Sequence, residues 1–301
     1  MSEPLSPESG PGKELSLFQL LRKHGIYPTK SLGQVFLAEE KVIDWIVDTL
    51  SPQETDVVVE IGAGPGLITK ALAERAGQVI ALEIDHKFLP LHQDLFAPLA
   101  KPPLVLYEDA KKADWQTQLE ETSGRRLVFG NLPYYLTTEL ILDAISKLPD
   151  MSLALFMVEQ EVGERLFAKP GDKKYGTLSI VSQLFGQWKQ LRTVSRGSFF
   201  PKPNATSSLL TLTPQGDKRE LAADLAFQRF IIGLMQYRRK TMANALKMSG
   251  AMSSDNSQAL IDFLDGEGLQ LEVRAEQLTP DQLARLFCQL GVCQPHGNPV
   301  E

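Results

Sequence analysis

Apolar residues recur along this chain in two alternating patterns. Residues 39–50 carry them at helical spacing, and residues 57–61, Val-Val-Val-Glu-Ile, form a short β-branched run that leads into glycines. The first pattern predicts an amphipathic helix, and the second predicts a strand buried on both faces. The alternation continues and predicts strands over 79–84, 104–107, 127–129 and 153–158 and helices over 67–75, 88–95 and 137–146. Strands that alternate with helices predict an α/β fold with a doubly wound, mostly parallel sheet.

The pattern changes after residue 158. Two later strands are predicted over 188–194 and 208–213, on either side of a proline-rich loop. Beyond Gly216 the chain shows only helical periodicity, over 221–235, 238–248, 256–265 and 279–290. We therefore expect three parts, namely a disordered leader over 1–24, an α/β domain over 25–215 and a smaller all-helical domain over 216–301.

The composition, 301 residues with 43% hydrophobic and 23% charged, is typical of a soluble globular protein. No run reaches the ~18 apolar residues that a membrane span needs. The first residues include Glu3, Glu8 and Glu14, which fits neither a secretory signal nor a transit peptide, so we expect a cytoplasmic location. The two cysteines, Cys288 and Cys293, are too few for a disulfide framework or a zinc site, and we expect no bound metal.

The net charge of −6 argues against nonspecific binding of nucleic acid, which needs a basic surface. The distribution of charge changes this picture, because neither 173–216 nor 225–254 contains Asp or Glu, while both contain several Lys and Arg. Two interpretations stay open. The stretches form one local positive face, or they are separate, solvated helix and loop faces.

The segment 60–66, Glu-Ile-Gly-Ala-Gly-Pro-Gly, follows the first buried strand and opens a helix. Glycines let the backbone turn tightly and approach a ligand. A dinucleotide fingerprint would place Gly at position 67, but this chain has Leu67, and Pro65 removes an N–H that a pyrophosphate would use. The turn therefore favours S-adenosylmethionine. Glu83, at the end of the next strand, is placed to bind ribose hydroxyls, although both cofactor classes use such an acid. Asp109 either binds the cofactor adenine or caps a turn.

The sequence Asn131-Leu132-Pro133-Tyr134 leaves the fourth strand, at the edge of the sheet where open α/β folds bind ligands. Methylation of an adenine amino group is hindered because the nitrogen lone pair is delocalised into the ring. Two hydrogen-bond acceptors on its N–H bonds relieve this, and Asn131 supplies one while Leu132, held extended by the proline, supplies the other. Tyr134 offers a stacking face. The alternative is a proline loop with a buried tyrosine.

Several further motifs occur in order along the chain. They are Lys-Ser-Leu-Gly-Gln-Val-Phe-Leu at 30–37, Glu-Asp-Ala at 108–110, Phe-Phe-Pro-Lys-Pro at 199–203, Tyr-Arg-Arg-Lys-Thr-Met-Ala-Asn-Ala-Leu at 237–246 and Arg-Ala-Glu-Gln-Leu at 274–278. Together with the glycine turn, Glu83 and 131–134, they make the chain resemble the ribosomal RNA adenine dimethyltransferase family over about 25–290. That family has a Rossmann-like methyltransferase domain and a helical domain.

The resemblance implies a function and a site. The family uses S-adenosylmethionine to place two methyl groups on the N6 atoms of two adjacent adenines in the 3′-terminal hairpin loop of small-subunit (16S) rRNA, within the small ribosomal subunit or its precursor, late in assembly. The implied cofactor contacts are Val35, Leu37, Gly62, Glu83, Asp109 and Asn131. The implied adenine contacts are Asn131, Leu132, Tyr134 and, over the other face, Phe199. The implied RNA phosphate contacts are Arg238, Arg239 and Lys240, whose alternative interpretation is a helix face paired with acids.

Two positions depart from the family pattern. Val35 replaces an Asn that contacts the cofactor, which predicts weaker cofactor binding, and Tyr135 replaces the Asn that commonly follows the tyrosine, at the rim of the predicted pocket. The competing hypotheses are an assembly factor that binds the subunit without catalysis, a methyltransferase of large-subunit rRNA, and a small-molecule methyltransferase or NAD enzyme. The possible stacking residues Tyr134 and Phe199 argue against the last.

Overall fold

The computed structural model describes residues 15–115, 117–119, 123–251 and 257–291. In chain order, its strands are β1 (Phe36–Leu37), β2 (Val57–Ile61), β3 (Gln78–Leu82), β4 (Leu104–Leu106), β5 (Arg126–Asn131), β6 (Leu153–Glu159), β7 (Gly186–Val194), β8 (Phe199–Phe200) and β9 (Ser207–Pro214). Its helices are α1 (Leu17–Lys23), α2 (Glu40–Leu50), α3 (Leu67–Ala73), α4 (Leu89–Phe96), α5 (Thr137–Lys147), α6 (Gln160–Leu166), α7 (Thr177–Phe185), α8 (Arg219–Ala223), α9 (Leu225–Gln236), α10 (Met242–Ser249), α11 (Ser257–Gly266) and α12 (Pro280–Gln289).

Seven strands form one sheet in the order β4-β3-β2-β5-β6-β9-β7. The strands from β4 to β6 run parallel, and β9 runs antiparallel to both of its neighbours. Every residue of β2 is buried, with Val57 and Val59 packed on one face of the sheet and Val58 on the other. A strand buried on both faces needs helices on both sides. The predicted doubly wound, mostly parallel sheet is confirmed.

A small antiparallel sheet pairs β1 with β8, with Phe36 opposite Phe200 and Leu37 opposite Phe199. Neither strand is predicted from the sequence, because two residues are too short to show a period. The pairing brings the segment before α2 next to the loop after β7.

The leader over 1–24 is not disordered throughout, which corrects that prediction for its described part. Ser16 caps α1 in a capping box with Gln19, and the helix buries Leu17, Leu20 and Leu21 in a cluster of apolar side chains that includes residues of β1 and α4. Residues 1–14 lie outside the described part of the chain.

The helical region also differs from the prediction in two places. The helix expected over 221–235 is interrupted at Asp224, which is extended and whose carboxylate accepts a hydrogen bond from the Ala226 N–H at 2.7 Å to begin α9. The helix expected over 238–248 begins only at Met242, and residues 237–240 form a turn. The first break comes from a side-chain hydrogen bond that competes with the helix. At the second, the Lys240 N–H donates to the Tyr237 carbonyl oxygen at 2.8 Å and the Met242 N–H donates to the distant Val273 carbonyl oxygen at 2.7 Å.

Two helices, α6 and α7, are absent from the prediction. Helix α7 is buried on nearly all sides, including Ser179 and Ser182, so it lacks the exposed polar face that marks a surface helix. It packs against α8, α9 and α12, and one apolar core runs from the sheet into these helices. The division of the chain at Gly216 therefore stays a prediction. Within the described ranges, no helix is both long and apolar enough to cross a membrane.

Candidate active site

One cleft lies where the parallel strands β2, β3, β4 and β5 end, and its empty volume is about 1210 Å³, counting the part open to solvent. The segments 32–37, 60–65, 82–84, 108–110 and 131–136 form most of its wall. The predicted cofactor and adenine contacts all line this cleft, namely Val35, Leu37, Gly62, Glu83, Asp109, Asn131, Leu132, Tyr134 and Phe199. The fold thus brings together residues that are far apart in the sequence.

The turn after β2 requires its glycines. Gly62, Gly64 and Gly66 have φ angles of 86°, 53° and 84°, in the left-handed region that side chains rarely adopt. A Cβ on Gly66 would lie 2.8 Å from the ring of Phe96, whereas a Cβ on Gly62 would meet nothing within 4 Å. The backbone at Gly62 therefore leaves room for a ligand in the cleft.

Glu83 follows β3 directly and is almost fully buried. Its carboxylate accepts hydrogen bonds from the Gly64 N–H at 2.7 Å and the Asp85 N–H at 2.8 Å. Burial raises the pKa of Glu83, and these backbone N–H groups oppose the rise. The two hydrogen bonds hold the carboxylate in one orientation at the wall of the cleft.

Glu60 is a second carboxylate at the cleft that the sequence reasoning did not assign. It is the one charged residue of β2 and is 1% exposed, and its Oε2 atom accepts no hydrogen bond from the described part of the chain. Burial raises the pKa of Glu60 to about 8, the nearby Thr69 hydroxyl opposes this rise, and the charge of Glu83 adds to it. Without a ligand this carboxyl is therefore largely protonated at neutral pH, and a cationic ligand in the cleft would favour its ionised form; S-adenosylmethionine carries a sulfonium and an ammonium. A lone acid within an apolar run was the signal in the sequence.

His92 of α4 supports the glycine turn from behind. Its Nε2 lies 2.8 Å from the Gly64 carbonyl oxygen and its Nδ1 lies 2.7 Å from the Tyr107 hydroxyl. Burial lowers the pKa of His92 to about 4, so the ring is neutral near neutral pH. Nε2 therefore donates to Gly64 and Nδ1 accepts from Tyr107. No sequence pattern indicated this residue.

Asn131 is the last residue of β5, and its side-chain Nδ2 donates to the backbone carbonyl oxygen of Val35 at 3.1 Å. Because the NH₂ end of the amide is engaged, the acceptor atom Oδ1 lies on its opposite edge. The N–H of Leu132 donates to the Met157 carbonyl oxygen at 3.1 Å. Val35 thus contributes through its backbone, which a change of side chain leaves in place.

The aromatic residues differ in how far they reach into solvent. Tyr134 is partly buried, and burial raises its pKa. Phe199 is only 6% exposed and packs among apolar side chains that include Leu37. Tyr135 is 59% exposed at the rim of the cleft. All three rings line the cleft, with Phe199 forming part of its buried wall and Tyr134 and Tyr135 leaving more ring surface open.

The contacts of Asp109 also agree with its alternative interpretation, in which the residue caps a turn. Its Oδ1 accepts from the Lys111 N–H at 3.0 Å, which stabilises the turn after β4. The residue also lines the cleft, so a turn-capping role and a cofactor contact are both compatible with its position.

The basic residues Arg238, Arg239 and Lys240 lie in the turn between α9 and α10, so the helix face given as their alternative interpretation does not exist. Arg238 nevertheless pairs with an acid, because its Nε donates to Glu276 at 2.6 Å. Arg239 and Lys240 are exposed. Among the described residues no group of three or more His, Cys, Asp or Glu side chains could hold a metal ion. Cys293 lies outside them.

Comparison with known proteins points to one family. A family model described as ribosomal RNA adenine dimethylase matches residues 28–290. The ribosomal RNA small subunit methyltransferase A of Deinococcus radiodurans is 37% identical over 273 residues, covering 91% of this chain and 89% of the relative. The protein of the same name from Bacillus licheniformis is 33% identical over 276 residues, covering 90% and 94%.

Two solved structures share the fold. A dimethyladenosine transferase from Plasmodium falciparum has a TM-score of 0.69 at 23% identity, covering 85% of this chain and 98% of that one. The 23S rRNA methyltransferase ErmE has a TM-score of 0.57 at 21% identity, covering 85% and 99%. From the family match and the curated relatives, this chain belongs to the ribosomal RNA adenine dimethylase family and is an rRNA methyltransferase whose methyl donor is S-adenosylmethionine.

Proposed function

We propose that this protein dimethylates the N6 atoms of two adjacent adenines in the 3′-terminal hairpin loop of 16S rRNA. The substrate in this proposal is the small ribosomal subunit or its precursor, the modification accompanies late assembly, and the location is the cytoplasm. The observation that carries the proposal is the anchored amide of Asn131, at 3.1 Å from the Val35 carbonyl oxygen, in the same cleft as Glu83.

The chemistry of the amino group explains why this amide matters. The exocyclic nitrogen of adenine is a poor nucleophile, since its lone pair is shared with the ring. The Oδ1 atom of Asn131 and the carbonyl oxygen of Leu132 accept its two N–H bonds and draw the nitrogen toward sp³ geometry. Tyr134 stacks on the base, and Phe199 closes the pocket on the other face. Catalysis then consists of positioning and electrostatic stabilisation.

The cofactor half of the cleft has its own set of residues. S-adenosylmethionine supplies a methyl group that its sulfonium already activates, so no metal is needed. Glu83 binds the ribose hydroxyls, Asp109 the adenine amino group, and the backbone at Gly62 passes close to the cofactor. Glu60, also in the wall of the cleft, would become ionised when the cationic cofactor binds, because a nearby positive charge lowers the pKa of a carboxyl. Val35 and Leu37 complete the wall.

The basic turn holds the RNA in this proposal. Arg239 and Lys240 are exposed and belong to a stretch, 225–254, without acidic residues. Phosphate contacts of this kind position the RNA without reading its sequence. Arg238 contributes less to RNA binding, because Glu276 already neutralises it.

The test is methyl transfer from labelled S-adenosylmethionine to small subunits isolated from cells that lack this modification. We expect dimethyladenosine at two adjacent positions of the 3′ hairpin, mapped by primer extension, and transfer that depends on Asn131. Modification of large-subunit rRNA instead would favour a methyltransferase of that subunit. Binding without any transfer at saturating cofactor would favour the assembly factor, and either result would contradict the proposal.

A further inference from the structure

The backbone of the segment 32–37 does more than line the cleft. Its Val35 carbonyl oxygen accepts the hydrogen bond from Asn131 Nδ2, so the position of this segment sets the orientation of the Asn131 amide. Asn131 and Val35 are 96 residues apart. Because the chain itself does not keep two such distant residues together, other contacts must hold the segment 32–37 beside Asn131.

A cluster of polar side chains, here called the clasp, consists of Thr29, Gln34, Asp85 and Lys87. The Lys87 Nζ atom lies 2.8 Å from the Tyr27 carbonyl oxygen, 2.6 Å from Thr29 Oγ1, 2.7 Å from Gln34 Oε1 and 2.8 Å from Asp85 Oδ2. Gln34 Nε2 donates to Asp85 Oδ2 at 2.8 Å, and the Thr29 N–H donates to Gln34 Oε1 at 2.8 Å. Both polar ends of Gln34 are thus held, directly beside Val35.

The charges of the clasp are shielded from water. The side chains of Lys87 and Asp85 are 25% and 16% exposed, so their attraction is screened less than that of a surface pair. Burial alone would raise the pKa of Asp85, but hydrogen bonds from Lys87 and Gln34 outweigh it and lower the pKa below its usual value. The Asp85 N–H also donates to Glu83 Oε1 at 2.8 Å. The clasp therefore joins the segment beside Asn131 to the carboxylate of the cofactor half of the cleft.

We infer that Gln34 and Lys87 are positioning residues that act through Asn131. They fix the Val35 carbonyl oxygen and, through it, the direction in which the Asn131 amide presents Oδ1. This inference rests on the proposed function, in which Asn131 contacts the target amine. A small misplacement of a reacting group lowers a rate by up to about a hundredfold, so loosening the clasp slows methyl transfer although Asn131, the group that contacts the target amine in the proposed function, is kept.

The test is a double-mutant cycle. Single-turnover methyl transfer to unmodified small subunits is measured at saturating S-adenosylmethionine for Lys87→Met and Gln34→Leu, each with and without Asn131→Ala. Lys41→Met, a change at an exposed lysine of α2, is the control. Thermal unfolding of each variant and the affinity for S-adenosylhomocysteine are measured alongside.

We expect Lys87→Met and Gln34→Leu to lower the rate constant about tenfold or more, Lys87→Arg to recover part of it, and the control to keep the full rate. In the Asn131→Ala background the same changes should alter the rate by less than about twofold. Full activity of both variants, or an equal loss in both backgrounds, would overturn the inference, because a purely structural tie acts whether or not Asn131 is present. A wild-type protein that transfers no methyl group would instead refute the proposed function.

Discussion

The cleft and the basic turn at 238–240 both carry polar side chains, but the surroundings differ. In the cleft, Glu60 and Glu83 are 1% and 6% exposed, and burial raises the pKa of both. Two backbone N–H groups also orient the Glu83 carboxylate. In the turn, Arg239 and Lys240 are exposed. Water weakens the interaction between charges many-fold relative to a protein interior. A single polar group of the cleft should therefore matter far more than a single charge of the turn, and four predictions test this contrast.

The largest effect is expected for Asn131→Ala. It removes one of two acceptors for the target amine, and loss of a comparable hydrogen-bonding group in other active sites costs about 10²–10³ in rate. Single-turnover methyl transfer at saturating cofactor measures it. Asn244→Ala, an exposed asparagine of α10, is the matched control and should keep the wild-type rate. Equal rates for the two variants would mean that the amide of Asn131 has no part in transfer.

The second-largest effect is expected for Glu60, which should make the unfolding free energy depend on pH. Its pKa of about 8 in the folded protein lies above the usual 4.5, so the folded state keeps a proton that the unfolded chain loses. Its contribution to stability is complete below pH 4.5 and is lost as pH rises toward 8. His92, with a pKa of about 4, acts in the opposite direction and only below its usual 6.5.

Between pH 6.5 and 8 the wild-type protein should therefore lose about 2 kcal/mol of unfolding free energy through Glu60, taking about 1.4 kcal/mol for each pKa unit. Urea denaturation without cofactor at several pH values measures this loss. Glu60→Gln should remove this contribution and leave only the loss that comes from Glu83, whose pKa burial also raises, whereas Glu54→Gln, at an exposed position, should retain the full wild-type loss. A wild-type slope in Glu60→Gln would show that another group is responsible.

A smaller effect is expected for the double variant Arg239→Ala, Lys240→Ala. We expect roughly tenfold weaker rRNA binding at low salt, and a salt dependence whose log–log slope is shallower by up to about two. Arg238→Ala should leave the slope unchanged but lower the unfolding free energy by about 1 kcal/mol, because it leaves the 19%-exposed Glu276 without its partner. Assays of rRNA binding at several salt concentrations distinguish the double variant from Arg238→Ala. Equal slopes in all three proteins would exclude the turn from the RNA contact.

The smallest effect is expected for Val35→Asn. A side-chain hydrogen bond to the cofactor contributes about 0.5–1.5 kcal/mol, so the affinity for S-adenosylhomocysteine should rise about twofold to tenfold, as calorimetry would measure. The transfer rate at saturating cofactor should not change, because Asn131 uses the backbone of residue 35. Val35→Ile is the control. A change in that rate would indicate that the side chain also affects Asn131.

Elements that a local sequence pattern marks agree with their predictions, and elements without such a pattern do not. Strand β2 coincides with its prediction, because a β-branched run before glycines is typical of a buried parallel strand. Helix α7 was missed, because a helix buried on nearly all sides has no exposed polar face to mark it as a surface helix. The single helix expected over 221–235 failed at Asp224, where a side-chain cap overrides propensity.

By itself the sequence determined the class of fold, the family, the cofactor and the set of residues at the strand ends. These follow from periodicity and motifs, which are local, and strand ends meet at one edge of a parallel sheet whatever lies between them. Only the tertiary structure decided what those residues contact. It paired Arg238 with Glu276, buried Glu60 beside Glu83 and set the Asn131 amide on the Val35 backbone. Such contacts join residues 38 or 96 positions apart, and they depend on packing distances that no local pattern encodes.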